Sequence, residues 1–115
     1  MLKRPLRIAV ASEGRTVSVR VDPRFGRAPF IVICDTQKAD VEVIDNLATS
    51  QQAGGAGVKA AETVVGRHVD YVVSQNFGPK ALQVFRATSV KAAVLSEGTV
   101  ADAVELVQRG QLHII

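Results

Sequence analysis

The sequence predicts a single α/β domain over residues 1–115, built on a mixed five-stranded sheet with about three helices covering both faces. Three observations predict it. A hairpin pattern comes early, strand and helix patterns alternate after residue 53, and 115 residues with 47% hydrophobic and 22% charged side chains suffice for one core but not two.

LRIAVA (6–11) sets Leu6, Ile8 and Val10 on one face and the small Ala9 and Ala11 on the other, the pattern of an interior strand. TVSVRV (16–21) also alternates and is a candidate short strand, although Asp22-Pro23 breaks it. FIVICD (30–35) is an unbroken apolar run, DVEVID (40–45) alternates, and the polar TQKA between them makes the pair a hairpin. VKAAETVVG (58–66) keeps Val58, Ala61 and Val65 on one helical face, and VDYVVS (69–74) returns to a strand pattern. PKALQVFRA (79–87) is helical with Ala81, Leu82 and Phe85 inward, and VKAAVL (90–95) supplies the fifth strand. Thr99 starts the last helix, with Asp102 three residues on completing a capping box, and Gly110 stops it.

Strands joined through helices pair in parallel with right-handed crossovers, whereas a short polar turn makes an antiparallel pair. An antiparallel second strand follows. The connection 12–28 then begins and ends at the carboxyl edge of the first strand, and AGGAG (53–57), QNFGPK (75–80) and SEGT (96–99) arrive at the same rim. Ligands of open α/β sheets bind outside the carboxyl ends of strands, so the candidate site belongs there.

Charge points to the same place. Residues 1–27 hold seven basic and two acidic side chains, leaving +5 there and −2 over the remainder of a chain whose net charge is +3. Lys3, Arg4 and Arg7 read equally well as a solvated end. Arg24 and Arg27 are the sharper pair. Guanidinium forks clamp carboxylate, phosphate or a multiply charged cluster, and Gly26 between them permits a tight turn. The plain alternative is pairing with Asp22, or Phe25 plugging the core and carrying its neighbours along. Gly54, Gly55 and Gly57 remove side chains just before a helix, which suits either a flexible connection or an anion approached by backbone N–H groups. Gly78 and Pro79 form a helix entrance that needs no ligand, while Asn76 and Lys80 offer donors at the rim.

Other chemistries fare worse. Cys34 lies in an apolar strand that runs away from the rim, so it reads as a buried, inert thiol. His68 and His113 have no ligand spacing, and no Ser/His/Asp or Cys/His set exists. The rim acids Glu13, Asp22, Asp45 and Glu97 are interspersed with Arg15, Arg24 and Arg27, which argues against a two-metal hydrolase; Asp35 and Asp70 belong at the opposite edge. Aromatics at 4% give few stacking platforms for nucleic acid. No apolar stretch approaches the roughly 18 residues that span a bilayer, so the expected partners exclude membrane and the expected location is cytoplasmic.

RIAVAS (7–12), VDPRFGRAPF (21–30), AGGAG (53–57), QNFGPKAL (75–82) and EGTVADAVE (97–105) together resemble the dinitrogenase iron-molybdenum cofactor biosynthesis family over essentially the whole chain. The resemblance implies a ribonuclease H-like three-layer α/β/α fold. It also implies a non-enzymatic carrier in metallocofactor assembly for nitrogen fixation, transiently binding an iron-sulfur precursor of the iron-molybdenum cofactor and meeting cofactor-assembly proteins. The motif residues carried over are Arg24, Phe25, Gly26 and Arg27, then Gly54, Gly55 and Gly57, then Asn76, Gly78 and Pro79. Arg24 stands where members implicated in cofactor binding often have histidine. The implied role of this loop is therefore outer-sphere neutralisation of an anionic cluster, not metal ligation. The alternative is a binding module for a nucleotide, phosphorylated metabolite or other small anion, without a role in nitrogen fixation.

Overall fold

The structure is a computed structural model that describes residues 5–38 and 40–115; Lys3 and Arg4 of the basic end and Ala39 of the hairpin turn lie outside the described residues. The elements are β1 (Arg7–Ser12), β2 (Phe30–Asp35), β3 (Val41–Asp45), α1 (Leu47–Ser50), α2 (Ala56–Val65), β4 (Tyr71–Ser74), α3 (Pro79–Arg86), β5 (Lys91–Val94), α4 (Val100–Gln108) and β6 (His113–Ile114). They form a mixed α/β fold on one open sheet, ordered β3-β2-β1-β4-β5-β6. β2 is antiparallel to both β1 and β3, with Val10 opposite Val32 and Ile31 opposite Ile44, while β1, β4 and β5 run parallel.

Several expectations need correction. Among the described residues the sheet has six strands, not five: β6 pairs antiparallel with β5, Val94 opposite His113, and two residues are too few to leave a periodic signature. A fourth helix, α1, occupies one turn between β3 and α2 and buries none of its residues, so it has no apolar stripe to betray it. Segment 16–21 forms no named strand. It makes only isolated bridges, Val21 to Ser12 and Arg20 to Thr99.

Alternation in the central strands sorts side chains into two clusters. Leu6, Ile8, Val10, Val32, Cys34, Val73 and Ala93 pack with Val100, Ala103 and Val107 of α4. Ala9, Ala11, Ile31, Ile33, Val72 and Ala92 pack with Ala60, Ala61 and Val64 of α2 and with Ala81 and Phe85 of α3. The small Ala9 and Ala11 thus face the cluster to which α3 brings the bulk of Phe85. α2 starts at Ala56 and its buried stripe is Ala56, Ala60, Ala61 and Val64, not the expected Val58, Ala61 and Val65.

α4 begins as its sequence dictates. Asp102 N–H donates to Thr99 Oγ1 at 3.2 Å, Thr99 N–H donates to Asp102 Oδ2 at 2.9 Å, and Gly110 follows the last turn with φ +67°. The segment before β2 completes this cap, because Val100 N–H and Ala101 N–H donate to the carbonyls of Val19 and Val17, each at 2.9 Å. At the amino end of β1, Arg7 lies 3.3 Å from Glu42 and 4.0 Å from Asp35, and Arg67 also pairs with Glu42.

Candidate functional site

The opening stretch of the site is a turn. Arg27 N–H donates to the Arg24 carbonyl at 3.1 Å, closing Arg24-Phe25-Gly26-Arg27 with Gly26 third at φ +93°, a conformation that glycine adopts at low cost. Neighbours hold the turn on every side. Phe25 N–H donates to the Asn76 carbonyl at 3.1 Å, which ties it to the loop before α3. Gly26 packs so closely on the start of α2 that a Cβ there would lie 2.7 Å from Gly57 Cα. From below, the buried Asn46 donates through Nδ2 to the carbonyls of Ala28 at 2.9 Å and Gly26 at 3.3 Å. Asn46 is not among the residues the sequence nominates; its one signal there is a polar residue directly after the alternating β3.

Arg27 reaches sideways instead of outward. Its Nη1 donates to the carbonyls of Ser50 at 2.8 Å and Gln52 at 2.7 Å, tethering the segment that leads into α2. Arg24 is exposed, and its guanidinium makes no hydrogen bond or ion pair among the described residues. Its backbone N–H donates to Asp22 Oδ2 at 3.2 Å. Burial pushes the Asp22 carboxyl above its ordinary value of 3.8; the Arg24 amide opposes that rise, Glu13 adds to it, and the Arg24 charge opposes it again.

These loops enclose a cavity of about 480 Å³. Arg24, Phe25, Gly26 and Arg27 form one wall, Gly55, Ala56, Gly57 and Val58 a second, and the segment Asn76 to Ala81, with Gly78, Pro79 and Lys80, a third. Of the motif residues on the three loops, Gly54 alone stands outside this lining; Glu13, Arg15, Asp22, Asp45 and Glu97, expected at the same rim, stand outside it too. The 96–99 turn does not join it either: the Gly98 carbonyl accepts from Val21 N–H at 3.0 Å, so the turn serves the 13–21 segment and the start of α4. Phe77, not among the residues the sequence nominates for the site, lines the cavity half-buried and completes an aromatic trio with the buried Phe25 and Phe85. An aromatic side chain inside the polar helix entrance QNFGPK was the available signal.

The cavity also receives two helix starts. Gly55, φ +75°, directly precedes α2, Gly78 directly precedes Pro79 at the start of α3, and neither helix has a side-chain cap. Among the described residues no acceptor takes the N–H of Ala56, Gly57 or Val58, nor of Lys80 or Ala81; hydrogen bonding resumes at Lys59, which donates to the Gly55 carbonyl, and at Leu82, which donates to that of Gly78. The first N–H groups of a helix are donors awaiting a partner and carry the positive end of its dipole. α4, away from the cavity, has its own first turn satisfied.

Metal-ligating chemistry is absent from this wall. No group of three or more His, Cys, Asp or Glu side chains that could hold a metal ion occurs among the described residues. Cys34 is buried within β2, and burial pushes its thiol up. Among the described residues no helix is long and apolar enough to cross a membrane.

Comparison with known proteins places the chain among relatives of the same architecture. It is similar to the apo form of the orange protein from Desulfovibrio gigas, with 36% identity, a TM-score of 0.89, and coverage of 96% of this chain and 92% of that one. It is similar also to a proposed NifB protein from Thermotoga, with 34% identity, a TM-score of 0.81, and coverage of 95% and 92% respectively. An uncharacterized protein of Methanocaldococcus jannaschii is 26% identical over 97 residues, covering 82% of this chain and 81% of that protein. Residues 5–110, which contain the whole cavity wall, match the family model described as dinitrogenase iron-molybdenum cofactor, and the chain belongs to that family.

Proposed function

We propose that the chain is a non-enzymatic carrier that holds an anionic iron-sulfur precursor of the iron-molybdenum cofactor in this cavity and releases it intact. The observation that carries the reading is the convergence of two uncapped helix starts with Arg24 and Lys80 on one cavity of about 480 Å³. Preorganised N–H groups and side-chain cations suit a multiply charged anion. The donor set fits a cluster that keeps its own ligands. It offers hydrogen bonds and positive charge but no thiolate, imidazole or carboxylate grouping to bind iron or molybdenum directly, so contact is outer-sphere and exchange stays easy. Family membership supports the choice of guest. The two core clusters, one shared with α2 and α3 and the other with α4, support a three-layer arrangement of the ribonuclease H-like kind.

A phosphorylated metabolite or nucleotide is the competing guest, because uncapped helix starts serve phosphate equally well. Anaerobic titration with isolated precursor cluster, followed by visible absorption, should show saturable binding that Arg24→Glu weakens by about tenfold or more and Arg86→Glu, away from the cavity, leaves unchanged. Absence of saturable cluster binding, together with a thermal shift given by nucleotides or phosphates, would transfer the site to the competing guest.

A further inference from the structure

We propose that Phe77 sets the selectivity of the cavity, favouring bulky, weakly hydrated anions with a sulfur surface over compact, strongly hydrated oxyanions such as phosphates. The inference rests on the anion-holding reading above and concerns what that reading leaves open, namely how one anion is told from another.

The cavity has two unlike sides. Its donors are Arg24, Lys80 and the N–H groups opening α2 and α3, whereas Phe25, Phe77, Pro79 and Val58 bring apolar surface to the same space. Phe25 and Phe85 are buried, with ring centroids 5.4 Å apart in an edge-on arrangement. Phe77 packs against this pair, tilted to Phe25 at 5.3 Å and edge-on to Phe85 at 6.0 Å, but is half-buried, which makes it the most exposed of the three and the one best placed to meet a guest. Its position is fixed by packing, because Phe25 on one side belongs to the turn that carries Arg24 and Arg27.

Such a wall penalises some anions and not others. A phosphate oxygen turned toward Phe77 gives up its water and gains no hydrogen bond, an expensive exchange for a strongly hydrated group. A sulfide or thiolate surface gives up little water, and sulfur makes favourable contacts with aromatic ring edges. The helix starts therefore supply attraction for any anion, and Phe77 supplies the discrimination. A polar side chain at position 77 would leave the donors in place and remove the preference.

The test compares a synthetic four-iron four-sulfur cluster carrying thiolate ligands with inorganic triphosphate, measuring the affinity of each for the full chain and for Phe77→Ser and Phe77→Leu. The parent is expected to prefer the cluster. Phe77→Ser should lose about tenfold in cluster affinity while its triphosphate affinity holds or rises, and Phe77→Leu should keep the parental ratio within about threefold. Thermal unfolding of both variants checks their fold, and the parent's own preference is measured whether or not either variant folds. A parent that prefers triphosphate, or a Phe77→Ser variant whose ratio is unchanged, overturns the selectivity role alone. A parent that binds neither anion overturns the anion-holding reading and this inference with it.

Discussion

Gly26 and Gly57 meet backbone to backbone: a Cβ on Gly26 would stand 2.7 Å from the Gly57 Cα and 2.9 Å from its nitrogen, whereas a Cβ on Gly57 would meet Ala81 at an ordinary 3.7 Å. The contact is one-sided, and it locks the arginine-bearing turn onto the start of α2. Gly26→Ala adds a left-handed backbone penalty to a clash with main chain, so it should cost about 2–4 kcal/mol of stability. Gly57→Ala should fall within about 1 kcal/mol of the parent, because alanine is the better helix former. Urea unfolding at constant m-value measures both, and equal losses would contradict the one-sided geometry.

Asn46 has a different kind of leverage. Its Nδ2 serves the Gly26 and Ala28 carbonyls in a buried setting, and Asn46→Ala would leave both without that donor. The expected loss is about 1–3 kcal/mol. Asn46→Asp should be no better than the alanine variant at neutral pH, since it turns a carboxylate toward two carbonyl oxygens. Denaturant midpoints for the two variants decide the matter.

Arg27 should behave as a tether. Arg27→Gln removes the link from Nη1 to the Ser50 and Gln52 carbonyls, and amide exchange across residues 51–57 should rise while β1 and β4 keep parental protection. Unchanged exchange in that segment would show that the tether contributes nothing to its order.

Asp22 gives the fold a specific pH dependence. Its folded carboxyl is held above 3.8, chiefly by burial, so the folded chain retains the proton more tightly than the unfolded one. The associated stability is fully present below 3.8 and is lost as pH rises through the higher folded value. Asp22→Asn, which keeps an oxygen for the Arg24 amide, should flatten that stretch of the profile and be at least as stable as the parent at pH 7. Thermal midpoints recorded from pH 3 to pH 7 test this, and parallel profiles would contradict it.

Much of the scaffold was legible in the sequence because its signals are local. Leu6, Ile8 and Val10 against Ala9 and Ala11 announce a strand with two unlike faces, and the Thr99/Asp102 pair announces a helix start. The convergence of the loops at 24–27, 55–58 and 76–81 followed from connectivity once β2 was read as antiparallel. What stayed hidden depends on partners distant in the chain. The 96–99 turn leaves the cavity because Val17 and Val19 offer carbonyls to α4, Arg27 turns sideways because Ser50 and Gln52 present theirs, and Asn46 matters only because the turn lies above it. β6 and α1 are too short for periodicity to register.

The ion pairs at the amino end of β1 have a consequence for how a guest arrives. Arg7 and Arg67 are neutralised there by Asp35 and Glu42, whereas Arg24, Arg27 and Lys80 around the cavity form no ion pair among the described residues. Uncompensated charge at the mouth would draw in the polyanion proposed above as the guest before contact is made. Capture of that guest should be fast in dilute buffer and slow as added salt shortens the screening length.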